Sequence, residues 1–429
     1  MKIKFMKKFL SLVVAGSLML GLAACSNSSE NSGNSQSETS SESEQTSNHK
    51  KFKIAVMEVQ LNDESTNRAN YFKDYIAPKY NVEFMFSEAI STLDAAMTFV
   101  ENAADSGADA IINYYAVGAN SEKLAQLCKE KNIVLVENGG VNPQNINAYN
   151  GGYENYLGGF MADQPATGKL FYDYLKDSMK PENKNGFLIN TGMAYQGNAQ
   201  QIEISTSMLK AISEIYGLTF DMSITDLISS SSPIMAENDK GIAVYCYPGG
   251  TNIQGYLEGL SAALQTGKYN YALFSSNNVG KVETAIGEVE QAMDMDITFI
   301  SFGSFGTALK NALTTKDKFG NNTLSMSTVK FTSLVSAMGF AKAYNALTGY
   351  TNVNKDDKGN ASVLYFTMQP VTSAEQLSSM DKWDTNGNWV ADYDFVDSLL
   401  GDFNKDITHK DIQDKIYTVT YDSIKQRLG

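Results

Sequence analysis

Short β-branched runs set at regular intervals, with helical periodicity between them, limit what this chain can become. Ile54-Ala55-Val56-Met57, Ala110-Ile111-Ile112-Asn113 and Ile133-Val134-Leu135-Val136 are joined by the weaker Val82-Glu83-Phe84-Met85-Phe86. Between them, Ala95-Ala96, Phe99-Val100 and Ala103-Ala104 place apolar residues at steps of three and four. Continuous apolar strands alternating with helices predict a parallel sheet covered on both faces. Crossovers in such a sheet are right-handed, and ligands sit beyond the carboxyl ends of the strands. The strand-exit loops are therefore where function is expected.

The pattern then repeats. Gly186-Phe187-Leu188-Ile189, Ile242-Ala243-Val244-Tyr245 and Ala272-Leu273-Phe274 read as strands, and 202–215, 253–264 and 279–293 as helices. A chain of 429 residues is long enough for two such α/β bodies. In the first, the exit loops carry Asn62 and Asp63, Tyr115, and Asn138. In the second they carry Tyr195 and Asn198, Tyr247, and Asn278. Amides can both donate to and accept from a polar solute, and tyrosine rings can cover its apolar face.

Ahead of these bodies lies a different kind of segment. Lys2, Lys4, Lys7 and Lys8 precede an apolar run, 9–24, that is shorter than the roughly twenty residues of a membrane span. It reads as a secretory signal peptide, 1–24. Its end, Leu22-Ala23-Ala24-Cys25, resembles the lipobox of bacterial lipoproteins. That resemblance implies lipidation of Cys25 and an anchor on the outer face of the cell membrane. Residues 25–51, rich in Ser, Asn, Glu and Gln, read as a disordered tether.

Next, Gly151-Gly152-Tyr153-Glu154-Asn155-Tyr156-Leu157-Gly158-Gly159 holds a Gly-x-x-Asn-Tyr-x-x-Gly turn, and Ala272-Leu273-Phe274-Ser275-Ser276-Asn277-Asn278 closes a strand. Together with the order of elements, these resemble the type I periplasmic sugar-binding proteins, the ribose- and galactose-binding group. Their fold is shared with the effector domains of lac-repressor-type regulators. The resemblance spans about 52–350 and implies two doubly wound parallel-sheet lobes joined by a multi-strand hinge. It further implies that Glu154-Asn155 opens the first crossing and adds Glu154 to the site. Asn278 stands where the family has an aspartate that binds sugar hydroxyls. The family's arginine after the Thr191 loop is absent, with Gln200 and Gln201 nearest. The expected boundaries are 52–153 with 302–350 for lobe 1, and 154–301 with 351–429, including a C-terminal helical extension, for lobe 2.

Composition narrows the chemistry. The formal charge is −14, and losing the leader's four lysines takes it to −18, a surface that repels nucleic acid. Only Arg68 and Arg427 could clamp an anion bidentately, which favours a neutral ligand. With two histidines, His49 and His409, and neither in an exit loop, a histidine triad or zinc site in the cleft is ruled out by count. Cys128 and Cys246 read as buried apolar residues without a disulfide. Asp384-Thr385-Asn386-Gly387-Asn388 lacks the sixth-position glycine and twelfth-position glutamate of a calcium loop and reads as a β-turn.

These readings converge on a non-enzymatic, monomeric solute-binding lipoprotein of an ABC importer. It would need no cofactor or metal and would close its lobes on a small neutral solute, a sugar above others, and then meet a membrane permease. A binding protein that presents its ligand to a sensor kinase, or one for a nucleoside or autoinducer, fits the same residues.

Overall fold

The computed structural model describes residues 49–115, 121–139, 155–180, 186–303, 306–385 and 387–429. The signal peptide, Cys25, nearly all of the tether, Glu154 and Asn386 lie outside them.

Lobe 1 is a six-stranded sheet in the order β12-β5-β4-β3-β1-β2, parallel throughout. Its strands are β1 (Phe52–Glu58), β2 (Val82–Ala89), β3 (Ala110–Asn113), β4 (Val134–Asn138), β5 (Tyr156–Ala162) and β12 (Val363–Phe366). Helices α1 (Asp63–Asn70), α2 (Leu93–Asp105) and α3 (Ser121–Glu130) follow the first strands. Ala96, Val100 and Leu124 pack on Ala55, Ile111 and Leu135, while Tyr71 and Phe72 pack on the opposite face with Ile54, Val56 and Ile112. Strand alternation sends successive side chains to the two layers, so both must be apolar, as the continuous runs predict.

Lobe 2 is a seven-stranded sheet, β13-β11-β10-β9-β6-β8-β7, parallel except at its two edges. It contains β6 (Phe187–Gly192), β7 (Ile234–Met235), β8 (Val244–Pro248), β9 (Tyr271–Phe274), β10 (Thr298–Phe302), β11 (Met326–Val329) and β13 (Gln369–Val371). Helices α4 (Gln164–Ser178) and α5 (Ala199–Tyr216) cover one face; α6 (Tyr256–Leu264) and α7 (Glu283–Met293) cover the other. The described residues of both lobes belong to one compact unit.

Sheet membership moves the expected boundaries. Tyr156–Ala162 is a strand of lobe 1, not a crossing, because Gly158 adopts φ +74° and lets the Ser362 carbonyl approach where a Cβ would collide. The first crossing therefore falls at Asp163, which caps α4 through Ala166 N at 2.9 Å. Met326–Val329 lies in lobe 2, so the second crossing falls at Lys330-Phe331 rather than at 302. Helix α8 (Thr332–Leu347) then packs on lobe 1, where a Cβ on Gly339 would stand 2.9 Å from Ile112 and Phe160. The chain re-enters lobe 1 at β12 and crosses a third time to β13.

The C-terminal extension also departs from expectation. Helix α9 (Ala374–Trp383) sits beside β13, but α10 (Tyr393–Asp397) and α11 (His409–Tyr417) pack on lobe 1, with α12 (Tyr421–Leu428) against α9. Tyr393 stacks on Tyr75 at 3.9 Å, and Tyr80 donates to Asp397 at 2.6 Å. Tyr75 belongs to a π-helical turn, Tyr71–Ile76, that continues α1. This layer explains why α8 is buried on every side from Thr332 to Asn345: one face meets the sheet and the other meets the extension. The tether ends earlier than 51, since His49 lies 3.1 Å from Asp402, and Lys50 and Lys51 pair with Asp109 and Glu83.

Candidate ligand-binding cleft

In parallel sheets every strand presents its carboxyl end on one edge, and each lobe concentrates buried polar groups there. On lobe 1, Glu58 ends β1 and accepts from Arg68 Nε at 2.6 Å. Arg68 Nη2 reaches Glu64 at 3.2 Å, and Glu64 meets Lys330 of the second crossing at 3.0 Å. The guanidinium lies 3.5 Å from the ring centre of Tyr114. Burial opposes the charge on Glu64, but Lys330 and Arg68 outweigh it and hold its pKa at about 2. For Glu58 burial prevails over Arg68 and pushes the carboxyl up. Arg68 is thus committed to protein carboxylates, though Nη1 remains buried without a partner.

On lobe 2 a polar chain runs across the strand ends. Asn190 donates to the carbonyls of Tyr247 and Gly249 at 3.1 and 2.9 Å. Ser276 Oγ donates to Asn190 Oδ1 at 2.6 Å and accepts from Asn278 Nδ2 at 2.8 Å. Asn278 N donates to Ser301 Oγ, and Ser327 Oγ donates to the Ser301 carbonyl. Beside this chain, Thr191 Oγ1, Ser275 Oγ, Asn278 Oδ1 and Thr328 Oγ1 are buried with no hydrogen-bond partner. Buried polar atoms in folded proteins are paired in about nine cases out of ten. Four unpaired ones stand together at and just beyond the ends of β6, β9 and β11.

The residues anticipated from sequence divide accordingly. Asn278 follows β9 and is 1% exposed, with its side-chain oxygen unpaired. Asn138 ends β4, and Tyr115 follows β3 with its backbone N held by Asn113 Oδ1 at 2.8 Å. Asn62 and Asn198 are helix caps: Asn62 forms a capping box with Ser65, and Asn198 accepts from Gln201 N at 3.1 Å. Both remain exposed, as does Asp63, which adds to the upward push that burial gives the Asp381 carboxyl. Tyr195 is half-buried, its hydroxyl accepting from Gln196. Tyr247 is a correction: its ring is buried and its hydroxyl donates to the Tyr256 carbonyl at 2.9 Å, which makes it core. Gln201, expected near the missing arginine, accepts from Met193 N and fills the space beside Gly192. Asn190, Thr191, Ser275 and Ser276 were not singled out. Their signal was a polar tail on each apolar strand, in Ile189-Asn190-Thr191 and Phe274-Ser275-Ser276.

Away from the strand exits, at the amino end of β10, carboxylate oxygens of Glu290, Asp296 and Asp317 lie within 4.8 Å of one another. Burial, with Asp317 and Asp296 adding, pushes Glu290 up to about 7, while Asn321 donates to Asp296 at 2.9 Å.

No family model and no curated protein matches this chain. Solved structures do. An ABC transporter solute-binding protein of Bacillus halodurans, with bound myo-inositol, aligns at TM-score 0.52 and 16% identity over 77% of this chain and 97% of its own. A periplasmic ribose ABC transporter protein of Conexibacter woesei aligns at TM-score 0.53 and 11% identity over 79% and 98%. The architecture is that of type I periplasmic binding proteins. A Bacteroides fragilis protein assigned as a LacI transcriptional regulator shares this type I fold at TM-score 0.50 and 12% identity, over 77% and 99%. The type I fold alone therefore leaves the activity open, and function has to be argued from the site. Among the described residues no helix is long and apolar enough to cross a membrane.

Proposed function

We propose that this protein is an extracytoplasmic solute-binding lipoprotein of an ABC importer, capturing a small neutral polar ligand, a sugar, by closing its two lobes. The observation that carries the reading is the row of unpartnered buried oxygens, Thr191, Ser275, Asn278 and Thr328, at the strand ends of lobe 2. Hydroxyls and a side-chain carbonyl in that position suit a ligand rich in hydroxyl groups, because the hydroxyls can accept or donate and the carbonyl can accept, none of them carrying charge. Lobe 1 would add Asn138, Tyr115, Asn62 and Asp63, and Tyr195 and Asn198 would approach from lobe 2, with Glu154 completing the set. Of two structural neighbours, one is described with bound myo-inositol and the other as a periplasmic ribose ABC transporter protein. Two lobes meeting a ligand from both sides gain contacts absent in the open form, so binding shifts the population toward closure.

A thermal-shift screen of pentoses, hexoses, inositols, nucleosides and amino acids tests the ligand class, since a solute that binds only the native state raises the melting temperature. A sugar or inositol is expected to give the shift and to shrink the radius of gyration in solution scattering. A response confined to amino acids would sink the reading, as would hydrolysis of a bound glycoside.

A further inference from the structure

The residues after α9 touch every crossing between the lobes. At the first crossing Asp163 Oδ2 accepts from Tyr417 Oη at 2.8 Å, while Asp163 N donates to the Phe366 carbonyl at 2.8 Å and so ties the first crossing to the third. Just past the second, on the first turn of α8, Asp384 accepts from Ser333 N at 3.1 Å and from its hydroxyl, and Ala391 N donates to Ser333 Oγ at 3.1 Å. This gives α8 the amino-terminal cap that Phe331 does not supply. At the third, Gln413 brackets Tyr365, accepting from its N and donating to its carbonyl, both at 2.8 Å, and Tyr421 N donates to Gln369 Oε1 at 2.8 Å. Strand β12 is an edge of its sheet, so Gln413 occupies the place of a missing neighbour strand.

The same segment is anchored firmly to lobe 1. Trp389 packs edge-on to Tyr71 at 5.1 Å, Tyr71 Oη donates to the Ala391 carbonyl at 2.8 Å, and Asn345 Nδ2 donates to the Leu399 carbonyl at 2.9 Å. Phe395, Leu399, Ile412 and Ile416 are buried beneath it. Its link to lobe 2 is lighter: Trp383 meets Tyr421 at 5.3 Å, and α9 lies beside β13. A body fixed to one lobe that also holds each crossing strand must lose or remake those bonds when the crossing dihedrals change.

We propose that residues 384–428 form a strap over the hinge, anchored on lobe 1 and restraining all three crossings, which narrows the range of lobe angles the unliganded protein samples. The proposal rests on the reading that the lobes rotate. Its energetic logic is that of any two-state element: bonds present at one hinge angle and absent at another bias the equilibrium by their difference. Tyr417 and Gln413 are the points of contact that can be altered without touching the buried anchors, since Tyr417 is exposed and Gln413 half-buried.

The test is a distance distribution between nitroxide labels on E101C in lobe 1 and K210C in lobe 2, both exposed helical positions, in the full chain carrying C25S. The native Cys128 and Cys246 are buried and would stay unlabelled. Without any solute, adding Q413A and Y417F is expected to widen the distribution at least twofold. Y417F alone, which removes one hydroxyl from an exposed ring, should widen it in the same sense and guards against misfolding of the double variant. Unchanged width and mean in both variants would overturn the strap. Adding ribose or myo-inositol to the parent checks the closure reading separately: a distance that neither sugar moves counts against closure by those solutes. The solute-free comparison still decides the strap.

Discussion

Asn278 shows how one side chain can be assigned a role from what it lacks. Its amide nitrogen is spent on Ser276 and its backbone N on Ser301, leaving Oδ1 buried and unpaired. Replacing it with alanine removes that acceptor together with a link of the polar chain. N278A is expected to weaken solute binding by about 1–3 kcal/mol, the usual effect of leaving a buried hydroxyl unpaired. Calorimetric titration showing parental affinity would remove Asn278 from the site. Lys342 poses the opposite case, a buried cation on α8 that donates to Ser362 O and Oγ at 3.0 and 3.1 Å. Burial pulls its pKa down to about 7. Folding then releases a proton that the unfolded chain holds up to about pH 10.5, so stability from this group rises with pH between about 7 and 10.5. K342M should flatten that rise in urea midpoints without unfolding the protein, because the Ser362 carbonyl keeps its bond from Gly159 N at 3.1 Å. A midpoint profile as steep as the parent's would show that Lys342 is charged in the native state. Asp384 has the reverse sign. Burial raises its carboxyl to about 7 despite the bonds from Ser333, so the native state takes up a proton and stability falls as pH rises from about 4 to 7. D384N should lessen that fall, and Glu290, raised for the same reason, should account for part of what remains.

Among the elements, α8 carries the most structural consequence per residue. It is the helix reached by the second crossing, it is enclosed by the lobe 1 sheet and the C-terminal layer, and its amino end is capped from a distant segment. Ala337, Gly339, Ala341 and Ala343 keep its surface small and let it pack closely. What the pattern could not reveal was the second covering layer, because periodicity says which faces are apolar but not what meets them. Overfilling the Gly339 contact with Ile112 and Phe160 in G339V should cost about 1–3 kcal/mol in urea unfolding. No change in midpoint would mean that α8 can stand off from the sheet. Strand β5 was missed for a related reason: Leu157-Gly158-Gly159 reads locally as a turn, whereas the glycine serves a neighbouring backbone. Tyr247 was misassigned because β8 runs on to Pro248, so the residue lies within the strand and its ring joins the core.

At the scale of the molecule, the lobes, crossings and proposed strap act together, and the proposed leader would decide where they operate. Lipidation at Cys25 would hold the binding body on the outer face of the membrane, beside a permease, with the polar segment as a leash of roughly 25–30 Å. C25S should abolish labelling by a radioactive fatty acid and release the protein into the medium. Retention in the membrane fraction would refute the anchor. Two doubly wound bodies and their parallel sheets followed from local patterns in the chain, and the site proposed at the strand ends is read from the same patterns. Apolar runs, helical periods and turn residues act over a few positions, and parallel sheets admit few connections. Which strand joins which sheet, where the chain crosses, and that 384–428 lies over the hinge were settled only by tertiary packing. Those outcomes depend on contacts between residues hundreds of positions apart, such as Tyr71 with Ala391 or Asp163 with Tyr417, whose energies no local window contains.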